Sequence, residues 1–138
     1  MQPDLLEESR RWRAQAEQDL AAGEKLAHLG IHYAACFFAQ QAAEKALKGL
    51  MLEIGRPPDR GHSVVALSRV IVTLQPALAT ALAPLVFLDQ YYIPTRYPDA
   101  IPGGIPADAF GPEDSQRALA GARACLSVRP EPGAEPQP

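Results

Sequence analysis

Ala35–Leu50 reads ACFFAQQAAEKALKGL. Around it, Ile31, Ala34, Ala35, Phe38, Ala42, Ala46, Leu50 and Ile54 recur at steps of three and four, the spacing of one helical face. Phe37, Leu47 and Met51 widen that face, so the helix meets core on two sides. The spacing predicts a helix over residues 31–54 at the centre of a bundle. Its many alanines let a neighbouring helix approach closely. Gly55 and the pair Pro57-Pro58 end it.

Upstream, Trp12, Ala16, Leu20, Gly23 and Ala27 form a narrow apolar stripe on a first helix. Asp4 as cap and Glu7 three residues later suggest its start, and Gly30 its end. Downstream, Gly61-His62-Ser63 opens a third helix carrying Val64, Leu67, Val70, Ile71 and Leu74. Gln75-Pro76 marks a break. Pro76 then starts a fourth helix with Leu78, Leu82, Leu85, Val86 and Leu88 inward, and Pro84 as a kink or restart. From Ile93 to Pro112, five prolines and three glycines forbid regular structure over most of the stretch. A loop of that length in a compact domain is usually functional or mobile. A last helix begins at Pro112, with Glu113 and Asp114 suited to its dipole, and turns Leu119, Ala122 and Leu126 inward. No strand signal of quality and no internal repeat is present. The expectation is an all-α, up-and-down antiparallel bundle of about five helices over residues 1–128. A disordered proline-rich tail follows over residues 129–138. The alanine-rich faces leave apolar surface that a second protomer can cover, hence an expected homodimer.

Composition narrows the function classes. In 138 residues, 47% apolar and 21% charged, the formal net charge is −3. Such a chain has no global basic field, so any nucleic-acid binding must come from a local patch. The charged start lacks a signal-peptide core, and no apolar run is long enough to span a bilayer. Cys36 and Cys125 have no metal-like spacing. These features together point to a soluble cytoplasmic protein with reduced thiols. There is no dinucleotide fingerprint, phosphate loop, nucleophile elbow or zinc-protease motif. His28 and His32 flank Gly30, where helices break, so no metal and no cofactor is expected.

The polar chemistry gathers in Tyr91–Asp99, YYIPTRYPD. Arginine offers a planar fork of donors that fits phosphate. Tyrosine rings stack on bases or present hydroxyls. Arg96, Tyr92, Tyr97 and Asp99 are therefore candidates for a nucleotide or phosphate site. The alternative is a structured loop in which Asp99 pairs with Arg96. On the central helix, Gln41, Glu44, Lys45 and Lys48 fall on adjacent turns. They read as a solvated stripe with a Glu44–Lys48 pair, as lysines facing phosphate across a cleft, or as a dimer contact. His62 packs or caps at a helix start, and joins the site only if the fold brings it to Arg96.

Three stretches in order carry a resemblance: ACFFAQQAAEKALKGL (35–50), GHSVVAL (61–67) and LDQYYIPTRYPDAIPGG (88–104). Over about Arg10 to Val128 the chain resembles the HEPN family. The resemblance implies a helical bundle and a symmetric dimer. It also implies, for many prokaryotic members, a minimal nucleotidyltransferase as toxin–antitoxin partner. Active members are metal-independent ribonucleases that carry an arginine followed four to six residues later by a histidine. Two copies meet across the dimer cleft and cut RNA with the ribose hydroxyl as nucleophile. Arg96 matches the arginine. The histidine positions hold Ile101, Pro102 and Gly103, and no histidine follows His62. The general acid/base is thus missing from its place. The leading expectation is a non-catalytic dimer binding nucleotide or RNA phosphate beside a nucleotidyltransferase partner. A ribonuclease toxin in which His62, Tyr97 or Asp99 replaces the histidine is the second. A purely structural interaction module is the third.

Overall fold

The computed structural model describes residues 3–132. Helix α1 (Pro3–His28) and helix α2 (His32–Ile54) form a long hairpin. Helix α1 begins one residue ahead of Asp4, which therefore lies in the first turn rather than at the cap. The position before Pro3 is outside the described residues. Gly30 closes α1 with φ +79°. Its N–H donates to Ala27 O (3.0 Å), and Ile31 N–H donates to Leu26 O (2.8 Å). Gly55 closes α2 in the same way, with φ +97° and Arg56 N–H on Met51 O (2.9 Å). Both ends are Schellman closures, in which glycine takes the left-handed conformation that a side chain would strain.

The short link forces α2 back along α1, and small residues let the two backbones meet. A Cβ on Gly49 would stand 3.2 Å from Ser9 O, and one on Gly23 would stand 3.3 Å from Ala35 O. Ser9 Oγ donates to Gly49 O at 2.8 Å. These pairings run in opposite directions along the two helices, as an antiparallel hairpin requires.

As its pattern predicts, α2 is core on two sides. It touches α1, helix α3 (Val64–Leu74) and helix α6 (Pro112–Ser127). Ala35, Ala39, Ala42, Ala43, Ala46, Leu47 and Leu50 are all buried. Each large apolar chain enclosed there, such as Leu47 or Ile71, contributes roughly 1.5–3 kcal/mol.

The fourth helix departs from expectation. Residues 76–91 are a broken series: a 3₁₀ turn Pro76–Leu78, a single α-turn α4 (Ala79–Leu82) and a 3₁₀ helix Ala83–Tyr91. Leu82, Leu85, Leu88 and Tyr91 are buried. Their spacing is three, the period of a 3₁₀ helix, not 3.6. Val86, expected inward, is 38% exposed. Pro84 supplies no N–H, which is the local reason the α-helix does not continue.

Residues 93–111 are turns, with a 3₁₀ turn at Pro98–Ala100 and a short helix α5 (Pro106–Ala109). Helix α6 starts where Asp114 accepts the Gly111 N–H at 2.8 Å. The tail expectation falls mostly on residues outside those described. Within 129–132, Glu131 N–H donates to Gln75 Oε1 at 2.8 Å. The fold is all-α, with no strand among the described residues. No helix there is long and apolar enough to cross a membrane.

Candidate functional site

The site forms where α2, the start of α3 and the Tyr91–Asp99 segment converge. Tyr92 is its centre. The His62 ring stacks on Tyr92 with centroids 5.2 Å apart and planes 17° from parallel. Phe37 of α2 lies 6.3 Å from the same ring at 28°. The Arg96 guanidinium carbon is 4.5 Å from the Tyr92 centroid, 4.8 Å from Phe37 and 5.1 Å from Tyr97. Arg96 thus rests among three aromatic rings, in the range of cation–π attraction.

Backbone geometry fixes that position. Arg96 sits one helical turn beyond Tyr92, and its Nε donates to Tyr92 O at 2.8 Å. The turn is pinned from below by Thr95, whose buried hydroxyl donates to Tyr91 O at 2.5 Å. Tyr91 itself is buried in edge contact with Phe87 and Phe110. Arg96 is exposed and makes no ion pair among the described residues. Its Nε is committed, and its Nη groups have no hydrogen-bond partner among the described residues, leaving donors of the kind that suit phosphate oxygens. The expected alternative, an Arg96–Asp99 pair, is not formed; Asp99 is exposed on the 3₁₀ turn Pro98–Ala100.

His62 is held by α2. Glu44 Oε1 and Oε2 lie 3.2 and 3.4 Å from its Nδ1. Fully buried Gln40 donates to His62 O at 2.9 Å. Glu44 also meets Lys48 Nζ at 3.1 Å, with side-chain exposures of 3% and 5%. The Glu44–Lys48 pair predicted from spacing exists, but it is inside the protein rather than on a solvated stripe. Lys48 lies over Trp12, 5.1 Å from the ring centroid, so it is not free to meet phosphate. Lys45, less than one turn away, also faces α1 and pairs there with Asp19 at 2.5 Å. It borders a groove of about 490 Å³ with Glu8, Arg11, Trp12 and Gln15, away from Arg96. The structure therefore brings together Arg96, Tyr92, Tyr97 and His62, and separates Lys45, Lys48 and Asp99 from them.

Asp89 is a residue that sequence reasoning passed over. Its carboxylate accepts Ser63 Oγ–H (2.8 Å), Val64 N–H (2.7 Å) and Val65 N–H (3.0 Å). It occupies the α3 N-terminus, the place where a helix otherwise attracts an anion. His62, Ser63, Asp89, Gln90, Tyr92, Ile93 and Pro94 line a cleft of about 440 Å³, inside the range of ligand pockets, roughly 300–1,000 Å³. His32 meets Ser115 Oγ at 2.8 Å across the bundle. No group of three possible metal ligands exists among the described residues.

Comparison with known proteins gives the family. The family model for the HEPN domain matches residues 9–129. The chain belongs to the HEPN domain family. The HEPN chain is 40% identical to TT1696 from Thermus thermophilus, whose crystal structure aligns over 86% of this chain and 93% of that one with a TM-score of 0.73. It is 32% identical to ST0689, an archaeal HEPN homologue, over 86% and 91% of the two chains, with a TM-score of 0.65. No curated protein matches the chain.

Proposed function

We propose that this HEPN chain is a dimeric, cytoplasmic module that binds nucleotide or RNA phosphate, working with a minimal nucleotidyltransferase as a toxin–antitoxin-like pair. One observation carries the binding reading: Arg96 is exposed, unpaired among the described residues and held in place by the Tyr92 carbonyl and three rings. A cation so ordered loses little conformational entropy when it takes a phosphate. Tyr97, half exposed beside it, offers a stacking face for a base. The family supports reading a dimer and a partner, and apolar side chains left at the surface, among them Ile93 and Ile105, support the dimer.

A second reading is favoured by a specific contact. His62 and Arg96 both pack on the Tyr92 ring, although no histidine follows the arginine in sequence. In a ribonuclease toxin His62 would supply the acid/base work that Ile101, Pro102 and Gly103 cannot.

Incubating a labelled mixed RNA pool with wild type and Arg96→Ala, with metal chelated, separates the readings. RNA retained intact by wild type, and lost by the variant, supports the binding module. Cleavage by wild type alone moves the function to the second reading. Neither retention nor cleavage contradicts both and leaves an interaction module.

A further inference from the structure

Helix α1 carries a second pairing of aromatic ring and cation, remote from Tyr92. Ser9–Arg13 reads SRRWR, and Trp12 is the only tryptophan of the chain. Buried Lys48 lies over one face of its ring, 5.1 Å from the centroid. The other face is therefore left to the groove of about 490 Å³ that Arg11, Trp12, Gln15, Gln18 and Lys45 line. Arg11 stands at the rim with its side chain 74% exposed, paired with Glu8 at 3.0 Å. An exposed pair of that kind is held weakly and gives way to a phosphate. Helix α2 joins this groove to the Arg96 cluster. Between Ala39 and Leu52 only Gln41 and Lys45 reach the surface. With Phe37 they form a strip at steps of four. It begins beneath Arg96, whose guanidinium carbon is 4.8 Å from the Phe37 centroid, and ends in the groove. No uncompensated acid lies on it: Asp19 is paired with Lys45 and Glu44 with Lys48. The strip is about 12 Å long, the length of roughly three to four stacked nucleotides at about 3.4 Å each.

We infer that this groove is a second nucleotide subsite. One single strand crosses α2 with a phosphate on Arg96, a base stacked on the outer face of Trp12 and a further phosphate on Arg11. The ligand is then an oligonucleotide and not a mononucleotide. The inference rests on the phosphate-binding role given to Arg96 above. An aromatic face beside a cation holds a single strand with little sequence preference, because every base has a flat face to stack. In a chain of net charge −3, attraction comes from such separated local cations and not from a broad basic field.

The test is titration with mixed-sequence 2′-fluoro RNA of two and of six nucleotides, followed by calorimetry and by the fluorescence of Trp12. The fluoro sugar has no 2′-hydroxyl, so backbone attack cannot shorten the probe. Wild type should bind the hexanucleotide at least about fivefold more tightly than the dinucleotide, the least that one stacked base contributes. The hexanucleotide should quench Trp12 and the dinucleotide should not. Trp12→Leu should weaken the hexanucleotide by at least about fivefold and leave the dinucleotide unchanged. Arg11→Gln, an exposed change that spares the fold, should also weaken it. That variant should lower the slope of log affinity against log salt by about 0.7, one phosphate's share for a single strand. A hexanucleotide bound no more tightly than the dinucleotide, with both lost in Arg96→Ala, overturns the second subsite and spares the Arg96 site. A tighter hexanucleotide that neither quenches Trp12 nor responds to Arg11→Gln also overturns it. If Trp12→Leu splits a dimer of the protein and leaves hexanucleotide affinity unchanged, the groove belongs to a second copy and the inference fails. No binding of either probe by wild type overturns both sites.

Discussion

His62 and Arg96, from separate parts of the chain, lie on one side chain: Tyr92 is 5.2 Å from the imidazole centroid and 4.5 Å from the guanidinium carbon. Neither residue owes its position to the other. Arg96 is set by the turn that begins at Tyr92, and His62 by Glu44 and Gln40 of α2. The site is therefore as rigid as the packing of three elements. Changes to its supports should be felt as stability, and changes to its exposed groups as binding.

Glu44 is the support with the most at stake. Removing it leaves the Lys48 ammonium 5% exposed with no carboxylate beside it. Glu44→Ala should cost about 3–5 kcal/mol, the usual penalty for stranding one charge of a buried pair. The double replacement Glu44→Leu with Lys48→Met should recover most of that loss. Urea unfolding of the three proteins checks this; a loss under about 1 kcal/mol in Glu44→Ala would contradict it.

Asp89 ties the 3₁₀ helix Ala83–Tyr91 to the start of α3 through three hydrogen bonds. Asp89→Ala frees the Val64 and Val65 N–H groups and the Ser63 hydroxyl, while Ser63 still caps the Ala66 N–H. A destabilisation of about 2 kcal/mol follows. Asp89→Asn should recover part of it, because its amide oxygen still accepts. Thermal melts should rank wild type above Asn and Asn above Ala.

The two thiols, both free and buried, should make stability fall in alkali. Desolvation pushes Cys36 up to about 12, with Asp114 adding to it, and desolvation alone pushes Cys125 up to about 12, both from an ordinary value of 9.0. The folded state keeps these protons where the unfolded chain loses them. Their contribution is therefore fully present below about pH 9 and lost as pH rises from there toward 12. Unfolding free energy followed from about pH 7 to about pH 10.5 should be flat with respect to these groups up to about 9 and decline beyond. Cys36→Ala with Cys125→Ala should flatten the alkaline decline. Neither thiol should react with a water-soluble disulfide reagent at about pH 8 until the protein is unfolded.

Helix α2 and the Arg96 cluster were legible in the sequence because their signals are local. Apolar residues at steps of three and four fall within one helix, and three tyrosines and an arginine fall within nine residues. The contacts of Glu44 and Gln40 with His62, and of Asp89 with the start of α3, were not legible, because those partners lie on other elements. Lys45 and Lys48 looked alike as candidates, yet less than one helical turn sends one to Asp19 and the other into the core. In the fourth segment, the strict three-residue spacing from Leu82 to Tyr91 was present in the sequence. Reading Val86 as inward pulled that segment toward an α-helical pattern that the structure does not have.

The central claim is that Arg96 is a pre-ordered phosphate ligand. Calorimetric titration of wild type and Arg96→Ala with a short mixed-sequence RNA tests it most directly, with thermal melting of both proteins alongside. Loss of a charge-assisted contact of about 1.5–3 kcal/mol predicts at least about tenfold weaker binding by the variant. Its stability should fall by no more than about 1–2 kcal/mol, since one exposed hydrogen bond to Tyr92 O and the cation–π contacts are removed. Equal affinity of the two proteins, or no binding by wild type, would contradict the claim.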